Sequence, residues 1–459
     1  MRRSQAIAAG MVAVLLVGGA AYADRELGPR PPDESPATSV AASGEWFCPH
    51  GGGETDWEVF LQVANPGEEP AAIRVRTLGS KRPTEPQTLT VEPGSFLRVP
   101  VPADGRGRAS MVEWFDQWVG VGWIAHAGGD EGGVAAEPCA AAAGSRWLLP
   151  DGTTETDDNE DHVVVMNPFA RDAVFSVVLL SDRREAVVHS ELTDLVLHPY
   201  RSRVIRLNDF VKGERTVATL VDVSVGRVAA GTLGISRAGG IRSTTGYLGQ
   251  PGAQLTFPGG ADAGRTDLAV MNAGLERVVL GADLLGKETE QPFAGLADST
   301  PPPESGRTFP TTTDGPTSVV FTAGGPGVAA TRRTFGVVSD QAASNGAAPA
   351  GAWLILPAVA GSPSHPGLVL ANPGTTPAEV ALSYLGSAPE QQVIVTVPAD
   401  RTATVPKEFV EAAPEGAVVA VASSGTFVPA AASSSLGREG FAAYAVALGI
   451  PIPAEWLPG

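Results

Sequence analysis

The sequence predicts an all-β protein of four tandem immunoglobulin-like β-sandwich modules that follow an N-terminal apolar helix. Three observations lead to this prediction. A short motif recurs four times at nearly constant spacing. Turn-forming residues interrupt the apolar runs at intervals of about 8–12 residues, and polar and apolar residues alternate within the runs, as they do in half-buried strands. A single large β-propeller with two blades per repeat is the alternative architecture.

The recurring motif is an apolar run that ends in asparagine, a turn, and a second apolar run that ends in leucine. Asn-Pro-Gly between apolar runs is typical of two strands joined by a short turn. The asparagines are Asn65, Asn167, Asn272 and Asn372, and a leucine follows each of them by 13 residues. Successive asparagines lie 102, 105 and 100 residues apart. This period identifies a repeat protein but no biochemical activity.

Each repeat opens with a short apolar anchor strand followed by proline, such as Trp147-Leu148-Leu149-Pro150. These anchors divide the chain into predicted modules at residues 45–145, 146–252, 253–350 and 351–459. The third repeat departs most from the others, because Ala273 follows Asn272 and residues 292–315 are rich in Pro, Ser and Thr. We interpret that stretch as an elongated surface loop.

Composition favours strands with many turns over disorder, since the chain combines 55 glycines and 39 prolines with 43% hydrophobic residues. The formal net charge is −18. The lysines are Lys81, Lys212, Lys287 and Lys407, and no cluster of basic residues opposes the negative charge. Nucleic-acid binding requires concentrated cations, so nucleic acid is excluded as a partner.

The N-terminus has the pattern of an export signal. Arg2 and Arg3 precede an apolar run of 18 residues that ends in Ala21-Tyr22-Ala23. Residues 1–23 are therefore predicted to be either a cleaved signal peptide or a retained membrane anchor. Residues 24–44 are proline-rich and lack periodicity, which predicts a linker. Both alternatives predict an extracytoplasmic protein that contacts the membrane only through an uncleaved N-terminal helix.

The repeat motifs also resemble a known family. The Trp-x-x-Pro anchor, the strand that enters Asn-Pro-Gly, an Ala-x-Val sequence after the turn and a late Val-x-Val hairpin resemble uncharacterised actinobacterial exported or membrane-anchored proteins. These are grouped as a domain of unknown function. The resemblance covers nearly all of residues 46–459 and implies tandem immunoglobulin-like sandwiches in the cell envelope. It implies no catalytic residues.

The chain contains two cysteines, Cys48 and Cys139. An even count in an exported protein predicts a disulfide. One cysteine follows the first anchor and the other precedes the second, so the bond would tie together the two ends of module 1. Closing a loop of about 90 residues contributes about 4–5 kcal/mol in the chain-entropy model.

The acidic loop at 151–161 suggests a calcium site only weakly. Asp157, Asn159 and Asp161 have the spacing of the first three ligands of a calcium loop. His162 stands where that loop requires glycine, and Pro168 stands where it requires glutamate. A solvated acidic loop is the alternative, and we expect neither a metal nor a cofactor.

Tryptophans are concentrated in module 1. Trp114 and Trp118 flank a predicted turn, and Trp57 lies in the loop before the first Asn-Pro hairpin. If exposed, these rings would stack on sugars or on a partner protein. The alternative is that they cover the edge of the core or a contact between modules, because large aromatic residues are usually buried.

The sequence predicts no enzyme. The catalytic motifs His-Glu-x-x-His and Gly-x-Ser-x-Gly and the Walker phosphate loop are missing from it, and its six histidines do not cluster at ligand spacing. We expect a non-enzymatic envelope scaffold whose partner is an envelope protein. The alternative is binding of cell-wall polysaccharide through the module 1 tryptophans. An open cleft with two facing carboxylates would instead favour a hydrolase.

Overall fold

The computed structural model describes residues 43–457 with short gaps, and these residues belong to one compact unit. The gaps are at 54–55, 82, 84, 129–130, 184, 238–239, 260–263, 297–298, 314, 336–340, 359–363, 389–390, 414 and 437–441. The predicted N-terminal helix at 1–23 and nearly all of the predicted linker lie outside the described residues. Within the described residues the fold is nearly all β, as predicted, with one short α-helix.

The strands form four successive groups, which we call modules 1 to 4. Module 1 contains β1 (Ser43–Cys48), β2 (Glu58–Asn65), β3 (Ala71–Leu78), β4 (Gln87–Val91), β5 (Ser95–Val101), β6 (Ala109–Phe115), β7 (Gly120–Ala127) and β8 (Gly133–Pro138). Module 2 contains β9 (Arg146–Leu149), β10 (Asn159–Asn167), β11 (Ala173–Leu180), β12 (Val187–Val188), β13 (Leu195–Leu197), β14 (Arg201–Arg206), β15 (Ala218–Val225), β16 (Ala229–Ser236), β17 (Gly240–Thr245) and β18 (Tyr247–Leu248). Two short 3-10 helices, Ser190–Leu192 and Leu207–Asp209, also belong to module 2.

Modules 3 and 4 repeat this order. Module 3 contains β19 (Gln254–Phe257), β20 (Gly264–Asn272), β21 (Leu280–Leu285), β22 (Glu290–Pro292), β23 (Ser305–Thr313), β24 (Ser318–Ala323), β25 (Val328–Phe335) and β26 (Gln341–Asn345). Module 4 contains β27 (Ala352–Ile355), β28 (Ser364–Asn372), β29 (Ala378–Tyr384), β30 (Val393–Val397), β31 (Arg401–Thr404), α1 (Lys407–Ala412), β32 (Val418–Ser424), β33 (Val428–Leu436), β34 (Ala442–Leu448), β35 (Ile450–Pro451) and the 3-10 helix Ala454–Trp456.

Each module contains two antiparallel sheets. The inner sheet includes the strand that ends in the repeat asparagine, and the four inner sheets are ordered β5-β2-β7-β8, β14-β10-β16-β17, β23-β20-β25-β26 and β31-β28-β33-β34. The outer sheets are β1-β6-β3-β4, β12-β11-β15-β9-β18 with β13 beside β11, β19-β24-β21-β22 and β30-β29-β32-β27-β35. In module 3 the buried Phe257 and Phe321 of the outer sheet pack with Leu268 and Phe309 of the inner sheet, so the two sheets share one core.

The last strands of the four inner sheets close a ring. β8 packs against β17, β17 against β26, β26 against β34, and β34 against β8. Most residues of β8, β26 and β34 are small, which allows the strands to approach closely. In module 2, residues 161–167 of β10 are all buried. The modules are thus packed around a common centre.

One buried acid lies where the ring strands meet. Glu137 of β8 is 4% exposed, and the backbone N–H of Asn345 in β26 donates to its carboxylate. Its Oε1 has no hydrogen-bond partner among the described residues. Burial raises the pKa of Glu137 well above its usual value, and the hydrogen bond from Asn345 opposes that rise only in part.

Candidate functional site

The four repeat asparagines are architectural. The Asn167 side chain donates to the carbonyls of Arg171 at 2.7 Å and Leu197 at 2.9 Å, and its Oδ1 accepts from the N–H of Phe169 at 3.1 Å. Leu197 belongs to the outer sheet, so the amide ties the turn and the inner sheet to the outer sheet. The equivalent bonds recur at the other three fully buried asparagines, Asn65, Asn272 and Asn372.

The residue after the repeat leucine joins consecutive modules. The carbonyl of Gly79 accepts from the N–H of Ser202 in module 2 at 3.1 Å. The carbonyl of Ser181 accepts from Gly306 in module 3 at 3.4 Å, and that of Gly286 accepts from Thr402 in module 4 at 3.0 Å. The constant spacing of 13 residues therefore places a junction acceptor at the same point of modules 1, 2 and 3.

Cys48 and Cys139 form a disulfide, which confirms that prediction. Their Cα atoms are 4.6 Å apart, and 91 residues separate them along the chain. Cys48 ends β1 of the outer sheet and Cys139 directly follows β8 of the inner sheet. The bond therefore links the two sheets of module 1 beside the ring.

Trp57, Trp114 and Trp118 are buried, which agrees with the interpretation that they cover the core or a contact between modules and not with ligand binding. Their exposed fractions are 9%, 6% and 5%. The Trp57 indole N–H donates to Glu131 at 2.8 Å, and Trp114 meets Trp456 edge-on with ring centroids 6.1 Å apart. These side chains stabilise the interior of module 1 and its contact with module 4.

The acidic loop of module 2 does not assemble the suggested calcium ligands. Asp157 is exposed and Asn159 is half-buried, whereas Asp161 is buried and forms an ion pair with Arg242 at 2.5 Å. Arg242 also bonds to Asp151 at 2.9 Å. Among the described residues no group of three or more His, Cys, Asp or Glu side chains is arranged to hold a metal ion.

The same carboxylates connect module 2 to module 3. Arg333 of β25 donates to Asp151 and, at 3.0 Å, to the carbonyl of Gly152. Burial alone would raise the pKa of Asp151, but Arg242 and Arg333 outweigh it and lower the pKa. For Asp161 burial prevails over the attraction of Arg242, and the pKa is raised. These buried charges fix the inner part of the module 2–3 junction.

At the module 1–2 junction, side chains of module 2 enter a cleft of about 390 Å³. Phe169, in the turn after Asn167, packs against Phe47 of β1 with ring centroids 6.1 Å apart. The guanidinium of Arg227 lies 4.6 Å from the centre of the Phe169 ring. Glu45 of β1 lines the same cleft. Burial and then the neighbouring Glu113 raise the pKa of Glu45, while Arg227 acts in the opposite direction.

At the module 2–3 junction, both of those positions are glycine. Gly274 follows Asn272 by two residues, as Phe169 follows Asn167. Strand register shows that Gly327 is equivalent to Arg227. Met166 pairs with Ala229, and Met271 pairs with Ala329 at the same point of module 3. Two residues before those alanines stand Arg227 and Gly327 respectively. The module 2–3 cleft has a volume of about 1460 Å³.

The module 2–3 cleft combines an apolar floor with a charged and apolar rim. Leu148 and Leu180 of module 2 are buried at its floor. Val188 is 67% exposed and Leu275 is 84% exposed, and both line it. The charged residues that line the cleft are Arg146, Arg183, Arg307, Asp182, Glu185 and Glu304. Within the described part of the chain, none of these arginines forms an ion pair with a carboxylate.

Arg146 of module 2 contacts the module 3 turn. Its guanidinium donates to the carbonyl of Ala273 at 3.1 Å. Local sequence pattern does not mark this cleft. The comparison of the repeats shows only that Phe169 of module 2 is a large side chain at the second residue after asparagine, where the other repeats have Gly67, Gly274 and Gly374.

The fold and its junctions define a class: an all-β protein whose four successive groups of strands close a ring. The chain belongs to a family of unknown function, DUF5719, whose model matches residues 114–353, just over half of the chain. A search of curated proteins finds no match. No helix among the described residues has the length and apolar character needed to cross a membrane.

Two solved structures show limited likeness. One is the crystal structure of Thermotoga maritima 1070, at 17% identity over 23% of this chain and 94% of that chain, with a TM-score of 0.20. The other is a tetra-tandem repeat in the extending region of a large adhesion protein. It is 15% identical over 84% of this chain and 92% of that chain, with a TM-score of 0.09. Likenesses at this level do not establish a shared fold.

Proposed function

We propose that this chain is a non-enzymatic scaffold of the cell envelope that binds a protein partner in the module 2–3 cleft. The observation that supports this function is the unfilled junction. Large side chains occupy the module 1–2 junction, whereas Gly274 and Gly327 leave a cleft of about 1460 Å³ between modules 2 and 3. Exposed apolar side chains at the rim of such a cleft are typical of interaction sites.

The proposed extracytoplasmic location is supported by the N-terminal pattern and by the disulfide. Arg2 and Arg3 followed by the apolar run match an export signal. The Cys48–Cys139 bond is of a kind that persists mainly in oxidising compartments. Residues 1–23 are then a signal peptide or a membrane anchor. A fusion of residues 1–44 to alkaline phosphatase, which is active only after export, is expected to be active, and an inactive but stable fusion would contradict export.

We also propose that each module is an immunoglobulin-like sandwich and that the family consists of actinobacterial exported proteins. The sharing of one core by the two sheets of module 3 supports the first proposal. Polysaccharide binding is not proposed, because Trp57, Trp114 and Trp118 are buried. Two carboxylates, Glu45 and Glu113, do line the module 1–2 cleft. However, Glu113 pairs with Arg74 at 3.5 Å, and Phe169 and Arg227 of module 2 line the same cleft. This arrangement favours a structural role over hydrolysis.

Peptide display tests the proposed binding site directly. A library of random peptides is selected on the immobilised full chain, and each enriched peptide is then tested on two variants. Leu275→Asp places a charge on the cleft rim, and Val279→Asp makes the same change at a residue of module 3 that is 61% exposed and does not line the cleft. We expect peptides that lose binding to Leu275→Asp and retain binding to Val279→Asp. If no enriched peptide is sensitive to Leu275→Asp, the proposed function is wrong.

A further inference from the structure

We propose that the module 2–3 cleft recognises a partner segment that carries an aromatic side chain next to an acidic one. This inference rests on the proposed function and specifies the chemistry of the partner. Equivalent junctions of the same ring show which groups occupy this position elsewhere in the chain.

The module 1–2 junction supplies the first precedent. There an aromatic ring and a charged group, Phe169 and Arg227, stack at 4.6 Å and narrow the cleft to about 390 Å³. The ring packs on Phe47, and the Arg227 charge acts on Glu45 at the cleft wall. An aromatic side chain beside a charge opposite in sign to that of the wall therefore fits this junction.

The module 4–1 junction supplies the second precedent. Ala64 precedes Asn65 and pairs with Gly120, as Met166 pairs with Ala229 in module 2. Trp118 stands two residues before Gly120 and therefore has the position that Arg227 has in module 2. A methyl group added at Gly120 would lie 2.2 Å from Leu354 of module 4 and 3.3 Å from the Trp118 ring, so both side chains reach the same point. Here too an aromatic ring from one module occupies the junction.

The module 2–3 junction keeps an apolar residue on the module 2 side but lacks large side chains on the module 3 side. Alignment of the anchors Trp46-Phe47 and Trp147-Leu148 places the buried Leu148 where Phe47 stands. An apolar floor is thus present. Gly274 and Gly327 supply no side chain to cover it. The space that an aromatic side chain occupies at the module 1–2 and module 4–1 junctions is therefore available to another molecule. At the module 3–4 junction the equivalent residues are Gly374 and Thr426.

The charge is reversed at one position of the wall, while the rest of the lining carries Arg183 and Arg307 beside Asp182, Glu185 and Glu304. The residue before the anchor tryptophan is Glu45 at the filled junction and Arg146 at the open one. Arg146 lines the cleft and has no carboxylate partner among the described residues. A partner group that takes the place of Arg227 should therefore be negative, because opposite charges across a binding surface favour the correct partner and like charges exclude others.

The experiment compares matched synthetic peptides. A peptide enriched on the full chain is remade with Asp-Phe, Asp-Ala or Lys-Phe at its central pair, and binding is measured by fluorescence anisotropy. We expect Asp-Phe to bind at least about tenfold more tightly than either relative. In the variant Arg146→Glu, which reverses the charge of an exposed residue, we expect Lys-Phe to bind more tightly than Asp-Phe. Thermal unfolding and near-UV circular dichroism check that the variant is folded.

The outcomes separate this inference from the function on which it rests. Cleft-dependent peptides that lack an aromatic residue, or that prefer Lys-Phe on the wild-type chain, overturn the inference and leave the binding site intact. An unchanged charge preference in folded Arg146→Glu overturns the role of Arg146. If no selected peptide depends on Leu275, the proposed function and the inference are both wrong.

Discussion

Replacing Asn372 with alanine tests how the repeat motif holds the protein together. The Asn372 amide donates to the carbonyls of Thr376 at 2.8 Å, Val397 at 3.0 Å and Pro398 at 3.2 Å, and its Oδ1 accepts from the N–H of Gly374 at 2.9 Å. The side chain is fully buried, so alanine leaves these backbone groups without a partner. At about 1 kcal/mol net for each bond, with some relaxation, we expect a loss of about 3 kcal/mol.

The size of the shift in melting temperature also reports whether the ring unfolds as one unit. Unfolding entropy scales with length, so a loss of about 3 kcal/mol lowers the melting temperature by about 3–4 °C for a unit of roughly 400 residues. The same loss lowers it by about 14 °C for an independent module of roughly 100 residues. Calorimetry and urea unfolding measure both quantities. The exposed Thr375 lies in the same turn, and Thr375→Ala is the matched control.

Two results would refute the reasoning. If Asn372→Ala costs no more than Thr375→Ala, the buried hydrogen bonds do not hold the turn to the outer sheet. If the variant shows a separate transition displaced by about 14 °C, module 4 unfolds independently of the others.

Three further predictions concern the ring and its junctions. Burial raises the pKa of Glu137, so the folded state binds this proton more tightly than the unfolded state does, and the stability it provides is lost as pH rises from the usual glutamate pKa to the raised one. The free energy of unfolding of Glu137→Gln, measured in urea, should therefore rise relative to that of the wild type between pH 5 and pH 8. A difference in unfolding free energy that stays constant over this range would contradict the assignment. Joint replacement of Cys48 and Cys139 by serine should cost about 4–5 kcal/mol, and dithiothreitol should destabilise the wild type but not this variant in the same thermal assay. Trp118→Ala removes a 5% exposed side chain from the module 4–1 junction and should cost about 3–5 kcal/mol by urea unfolding; a cost below about 1 kcal/mol would mean that the junction does not depend on it.

The all-β fold class was predictable because its signals are local. Asn-Pro turns between alternating apolar runs specify strands, and the spacing of Asn65, Asn167, Asn272 and Asn372 reveals the repeat. The disulfide followed from the same order, since Cys48 and Cys139 stand at the two ends of one repeat. These features depend on residues that are close in sequence or equivalent between repeats.

Burial of the tryptophans is expected of large aromatic side chains, but the residues that cover them were not predictable from local pattern. In the ring a second module covers this part of module 1, and Trp114 packs against Trp456 from the far end of the chain. Such contacts leave no periodic trace, because a strand buried on both faces is apolar on both.

The candidate cleft was not predictable from the sequence for a related reason. A glycine two residues after the asparagine is ordinary, because three of the four repeats have one, Gly67, Gly274 and Gly374. Its consequence becomes visible only when the packing shows that Phe169 and Arg227 fill one junction and that Gly274 and Gly327 leave another open.

The most direct test of the central claim, a closed ring of four modules, is the radius of gyration of the chain from Ala42 onward, measured by small-angle X-ray scattering. A compact unit of this length is expected to have a radius of gyration of about 22 Å. Four modules of about 100 residues in a linear array would give about 40 Å. A value near the first confirms the packing that creates the module 2–3 cleft, and a value near the second would contradict the ring and the binding site argued from it.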